Sequence, residues 1–205
     1  MKAQGRGIYM SMNEMKSRNE ATDRRIRKTR AALKKSLTTL MQQKSVKDIS
    51  VKELTEMADV NRGTFYLHYK DVFDLLEQSE NDLLDELHQL IDHISGDTVK
   101  NDPAFLFEKV YLLCEENVDL VHILLGENGD IKFLNNLNTF LKEKCLNDWS
   151  PFIRQAELKY FDAFFSFLVG GCCSLLQYWF SNGMRQTPRE LAMITVEFLN
   201  RNTAE

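Results

Sequence analysis

The sequence predicts an all-α protein in two parts, a small basic head followed by a larger acidic helical body. Three observations carry that expectation. Apolar residues recur at helical spacing over most of the chain, and no alternating run suggests a strand. Only 3 Pro and 9 Gly interrupt 205 residues, of which 43% are apolar, so long helices around a real core are affordable. The net charge of −4 is unevenly divided: residues 16–70 hold 14 basic and 6 acidic side chains, and residues 71–205 hold 10 and 23. A basic head on an acidic body points to a polyanion as the head's partner. Four irregularly spaced Cys and no N-terminal apolar stretch argue against a secreted disulfide scaffold and for a cytoplasmic protein.

Residues 1–23 are polar and weakly periodic, and read as a flexible tail. From Arg24 an apolar stripe of Ile26, Leu33, Leu37, Leu40 and Met41 predicts a first helix. Its opening turns carry Arg24, Arg25, Arg27, Lys28 and Arg30, cations at the end where a helix dipole favours anions. That placement favours a phosphate-contact role. Ser50-Val51-Lys52-Glu53 has the form of a capping box and starts a short second helix, with Val51, Leu54 and Met57–Ala58 inward. Asp59-Val60-Asn61 is a turn, and Asn61 caps a third helix from Arg62 to about Tyr69. The three make a helix-turn-helix head over residues 24–70.

Residues 71–205 form the helical body. Val72–Ile94 carries Leu75, Leu76, Leu83, Leu84, Leu87, Leu90 and Ile91 on one face. Asp102 and Pro103 suit the N-cap and first position of the next helix, and Gly126–Gly129 breaks the chain. Ile131–Leu146 is amphipathic. Ser150-Pro151 starts a long helix to about Ser181, Asn182-Gly183 stops it, and Thr187-Pro188 caps a last helix to about Asn200.

A short recognition helix reaches base edges in the major groove with its N-terminal residues, here Arg62 and Thr64. Arg takes guanine O6 and N7 together, Thr offers a hydroxyl and a methyl, and Gly63 leaves room for close approach. Tyr66, Leu67, His68 and Lys70 follow where the phosphate backbone would pass, and Ser50, Lys52 and Asn61 present helix starts to it. Arg30 joins them from the first helix. Val60 and Phe65 read as core.

The stretch Thr29–Leu76 resembles the head of the TetR family of bacterial transcription regulators. Thr29-Arg30 with Leu33 and Leu37 is similar to the family's opening helix, and Ile49–Leu54 to the start of its second. Ala58–Tyr69, with its Gly-Thr-Phe-Tyr-Leu-His-Tyr core, resembles its most specific run. Two positions depart: Asp59 stands where the family usually has Gly, and Val72 where many members carry a phosphate-binding Lys. The resemblance implies a homodimer on an inverted-repeat double-stranded DNA operator, most often a ligand-responsive repressor. An activator or co-activator of the same fold is the alternative.

Eleven of the 13 Phe lie after residue 100. In the long helix Phe161, Phe164, Phe165, Leu168, Cys172, Leu175, Leu176 and Trp179 form a stripe suited to the core. Phe167, Gly170, Gly171, Ser174 and Tyr178 form a second stripe, so the helix is apolar on two sides. The second side suits a partner subunit, and the resemblance implies the same, with Leu191, Ile194 and Phe198 of the last helix completing the dimer face. Phe105, Phe107, Tyr111, Phe133 and Phe140 are candidates for lining a small-molecule effector cavity, with plain core packing as the alternative. The uncharged run 163–184 is long enough to span a membrane, but its Gly, Ser and Gln and its lack of flanking cations argue against that. Asp85-x-x-His88 and Asp119-x-x-His122 are the only hints of a di-metal bundle enzyme, and Cys172-Cys173 of a redox switch. With no phosphate loop, dinucleotide motif, zinc spacing or nucleophile elbow, the sequence predicts no enzyme, no cofactor and no metal.

Overall fold

The structure, a computed structural model, describes residues 12–126, 129, 131–146 and 160–201, with side chains described between Asp23 and Asn200. Among these residues the regular structure is helical throughout. The helices are α1 (Met12–Met41), α2 (Val51–Met57), α3 (Arg62–Tyr66), α4 (Val72–Asp92) and α5 (Gly96–Asn101), then α6 (Pro103–Glu116), α7 (Val118–Leu124), α8 (Ile131–Lys144), α9 (Phe161–Ser181) and α10 (Pro188–Arg201).

The first helix begins at Met12, so residues 12–23 are helical where the sequence reads as a flexible tail; residues 1–11 lie outside the described residues. The reason is local. No Gly or Pro occurs between Met12 and Met41, and a helix without a breaker continues past the last residue it buries. This removes one argument made from the sequence. Arg24–Arg30 lie three turns inside the helix, and the dipole effect fades within its first turn.

In the head, α1 packs on α2 and α4, and α2 packs on α3. Leu33, Leu37, Leu54 and Phe65 are fully buried at their junction. Met57, expected to point inward, is 47% exposed, because α2 ends there and turns its last residue to solvent. The recognition helix stops at Tyr66, not near Tyr69, and Leu67 is its C-cap. Asp59, in the preceding turn, has φ +51, a left-handed conformation in which Gly is least strained and Asp is tolerated.

The core continues from Leu75 along α4 into the body, reaching Tyr111 and Trp179 without interruption. Asn117 divides the helical run after Pro103 into α6 and α7. The most extensive packing joins α6 to α10. There Arg189 bridges Asp102 at 3.2 Å and Glu108 at 3.1 Å, and the buried Tyr111 hydroxyl lies 2.7 Å from Thr195 Oγ1. Thr195 commits its own proton to the Leu191 carbonyl at 2.9 Å, which leaves Tyr111 as the donor. The long helix expected from Ser150-Pro151 does end at Ser181, but α9 opens after a turn at Tyr160; residues 147–159 lie outside the described residues.

Candidate nucleic-acid interface and the body behind it

The surface of the head is organised by helix starts whose backbone needs are met from within. Asn61 Oδ1 accepts the Gly63 N–H at 2.7 Å, so α3 begins sharply and holds Arg62, Gly63 and Thr64 in its first turn. Arg62 and Gly63 are exposed and Thr64 is half-buried. A Cβ on Gly63 would sit 3.1 Å from the capping Asn61 oxygen, so the glycine also makes room for the cap.

Ser50 Oγ accepts the Glu53 N–H at 3.2 Å, as a capping box requires. The reciprocal half is absent: the Glu53 carboxylate instead takes Lys44 Nζ at 2.6 and 2.8 Å. Ser50 Oγ serves the cap only as an acceptor, so its own hydroxyl proton is not used by the cap. Lys52 is exposed beside Glu56, 3.9 Å away. Beyond α3, Tyr66 is exposed and meets Phe65 edge-on at 5.4 Å, and Leu67 is 80% exposed. His68 is half-buried and Lys70 exposed.

Two ties fix this segment. The Arg30 guanidinium lies 5.8 Å from the centre of the buried Tyr69 ring, which joins α1 to the end of the recognition element. Burial raises the Tyr69 hydroxyl's pKa, with Arg30 opposing it, so the ring stays neutral. Asp71 Oδ1 accepts the Asp74 N–H, and Asp74 Oδ2 accepts the Lys70 N–H, both at 2.8 Å. The Lys70 N–H and a hydrogen bond from Gln78 hold the Asp74 carboxyl below the usual carboxylate range. Head and α4 are thus joined by a short rigid link. All the residues expected to contact DNA therefore lie on the head's surface, spanning α2, α3, the link and one position of α1.

In the body, α9 presents two unlike sides. Phe165, Leu176 and Trp179 are buried, whereas Phe167 is 62% and Tyr178 58% exposed. Phe167, Gly171, Ser174 and Tyr178 line a groove of about 340 Å³ with Phe198 of α10. Gly170 is exposed on the same helix, and a Cβ on either glycine would meet nothing within 4 Å. Two expected dimer-face residues are placed elsewhere. Leu191 is 1% exposed and belongs to this chain's own core, because α10 packs on α6 through that side. Ile194 is half-buried and lines a separate groove with Met193 and Arg189.

Between α4, α6, α8 and α9 lies an apolar cavity of about 170 Å³. Phe107, Tyr111 and Phe133 line it as expected; Phe105 and Phe140 do not. Phe105 lies under Lys109, and Phe140 stacks on His88 at 3.6 Å. All four cysteines also line the cavity, a convergence that periodicity along one helix does not reveal. Burial pushes the thiols of Cys114 and Cys172 up to about 12 and that of Cys145 up to about 11, and raises Cys173 as well. Such thiols are protonated and poorly nucleophilic at neutral pH. Among the described residues no group of three or more His, Cys, Asp and Glu is placed to hold a metal ion.

Comparison with known proteins agrees at several levels. Residues 101–201 match the TetR_C_8 family, "Transcriptional regulator C-terminal region". The chain is 26% identical over 190 residues to the HTH-type transcriptional regulator YxbF of Bacillus subtilis, covering 90% of this chain and 48% of that protein. The chain thus spans about half the length of the curated relative it matches. The fold is shared with the fatty acid degradation regulator FadR from Bacillus halodurans, at TM-score 0.63 and 12% identity over 83% of this chain and 94% of that one. It is shared also with a TetR transcriptional regulator from Streptococcus agalactiae, at TM-score 0.55 and 22% identity over 88% and 98%. A third such structure is the dihydroxyacetone kinase operon activator DhaS, at TM-score 0.51 and 17% identity over 85% and 95%.

Proposed function

We propose that this chain, a TetR-family transcriptional regulator and so a member of a family without enzymatic activity, acts as a cytoplasmic homodimer that reads an inverted-repeat DNA operator. The observation that carries this reading is the start of α3. Asn61 caps it, and Arg62 and Thr64 are held in its first turn on a surface flanked by Lys52, His68 and Lys70. Arg62 and Thr64 read base edges; Ser50, Tyr66, His68, Lys70 and Arg30 meet the sugar–phosphate backbone. The groove between α9 and α10, with Phe167, Tyr178 and Phe198 open to solvent, supports pairing through this face.

The apolar cavity supports an effector that is small, uncharged and largely hydrocarbon. Its volume is near that of the ~150 Å³ apolar cavities that stay dry and admit a benzene-sized molecule, and its thiols are neutral. Helix α4 joins this wall to the link behind α3, so an effector favouring one spacing of the two heads would shift the population away from DNA. That makes the protein a ligand-responsive repressor. Activation is the second reading, supported by the fold shared with an operon activator.

Alanine substitution tests the assignment of roles. Arg62→Ala and Thr64→Ala should each cost about 1–3 kcal/mol per half-site contact and relax preference at one operator position. Binding would be measured on duplexes differing at single positions. Equal weakening across all sequences would make Arg62 a backbone contact and overturn its role in base recognition.

A further inference from the structure

We propose that Asp23–Ala32, the part of α1 ahead of the buried face, is a cationic arm that lies on DNA phosphates flanking each operator half-site. The proposal rests on the DNA-binding reading above and adds a second contact surface to it. Leu33 is the first fully buried side chain of α1. In the preceding stretch only Ile26, Thr29 and Ala32 are even half-buried, and the rest are exposed. Ten residues at 1.5 Å rise make an arm of about 15 Å that buries almost nothing.

Helical spacing of 100° per residue gathers Arg24, Arg27 and Lys28 on the side opposite Ile26, Thr29 and Leu33, with Arg25 on its flank. Asp23 is the single acidic residue in the stretch, and none of the four cations has an ion-pair partner among the described residues. They are also each other's neighbours: Arg24 with Arg27 and Lys28, and Arg25 with Lys28, stand three or four residues apart. Like charges at that spacing weaken a helix. Among the described residues neither burial nor ion pairing explains four adjacent cations there, whereas a polyanion would relieve their repulsion.

Arg30, near the C-terminal end of the arm, places its guanidinium 5.8 Å from the centre of the Tyr69 ring, so the arm joins the head next to the segment proposed to meet the DNA backbone. Phosphates at the edge of the half-site are then the nearest polyanion. Contacts of this kind carry no base recognition and add affinity in proportion to the cations engaged.

The test uses the full chain, the variant R24A/R25A/R27A/K28A, and the tightest duplex recovered from a random-sequence library. That duplex is prepared both trimmed to the base pairs whose identity the selection fixes and extended by about one helical turn on each side. Alanine favours helix, so the arm should remain folded, which circular dichroism verifies. The wild type should bind the extended duplex about tenfold or more tighter than the trimmed one at 0.1 M salt. The variant should lose that preference and keep its affinity for the trimmed duplex. With two phosphates per arm, its log–log salt slope on the extended duplex should be shallower by roughly 3–4. A charge-conserving R24K/R25K/R27K variant should retain the preference. Equal loss on both duplexes, or no loss on either, would overturn the arm. So would unchanged DNA binding with loss of self-association, which would place the arm on the acidic body of a second copy. A wild-type chain that retains no duplex at all would overturn the DNA-binding reading itself, and the arm with it.

Discussion

The head and the body bury their apolar residues by different rules. In the head, Leu33, Leu37, Leu54 and Phe65 are completely covered within one chain, and the starts of α2, α3 and α4 are each capped by a side chain one or a few residues away. The body encloses an apolar cavity and leaves Phe167 and Tyr178 of α9 mostly exposed. Helix α9 is also long and apolar enough, by length and composition, to cross a membrane, yet buries only one side in this chain. The contrast fits the proposed function. A small unit that docks on a charged surface has to be rigid alone, whereas a unit proposed to take a second copy and an effector has to leave apolar surface for them.

The largest effect that would sharpen this contrast is alkaline. The thiols of Cys114 and Cys172 have folded-state pKa values of about 12, above the ordinary range of about 8.5–9 for an unfolded chain. A raised acid favours the fold while it is neutral, so this stability is fully present below about pH 9 and falls as pH rises towards 12. The slope should approach 1.4 kcal/mol per pH unit for each thiol. Unfolding free energies between pH 8 and 11 would show it, and Cys114→Ala should flatten the curve by one thiol. An unchanged curve would mean that the cavity wall admits water.

Phe65→Ala removes the centre of the closed head and should cost about 3–5 kcal/mol. Because the core continues through Leu75 into the body, thermal unfolding should remain one transition at lower temperature. A separate early transition would show the head folding independently. Gly171→Glu acts in the opposite way. Nothing lies within 4 Å of that position in one chain, so the fold should survive while the carboxylate is stranded between subunits. Association should weaken by about 100-fold or more, read by sedimentation; an unchanged dimer would move the interface elsewhere. The smallest change is Asn61→Ala, which unties the start of α3 for about 1 kcal/mol of stability. Its effect on DNA affinity should exceed that, because Arg62 and Thr64 lose their fixed direction.

Local chemistry was legible in the sequence wherever the partner was near in the chain. The caps at Ser50, Asn61 and Asp102 follow from residue type and spacing, and all three accept the expected backbone N–H. The stop at Asn182-Gly183 follows as well, with Gly183 at φ +72. The start of α1 was not legible, because periodicity detects a helix by the face it buries and Met12–Asp23 precedes that face. Nor was the end of α3, where exposed Leu67 and buried Tyr69 sit in one apolar-looking run.

The sequence by itself determined the helical class, the polar and apolar sides of the long helices, the basic charge of the head and the run that resembles a recognition helix. Each depends on interactions within a few residues, or on charge, which needs no partner to be counted. Tertiary structure alone decided which apolar side meets this chain and which is left open. It sent Leu191 inward against α6 and left Phe198 and Tyr178 on the outer groove, although all three stand at helical spacing on the last two helices. It also drew four cysteines from three stretches of chain around one cavity. Hydrophobic burial has no direction of its own, so a stripe of apolar residues states that it will be covered and leaves open by what.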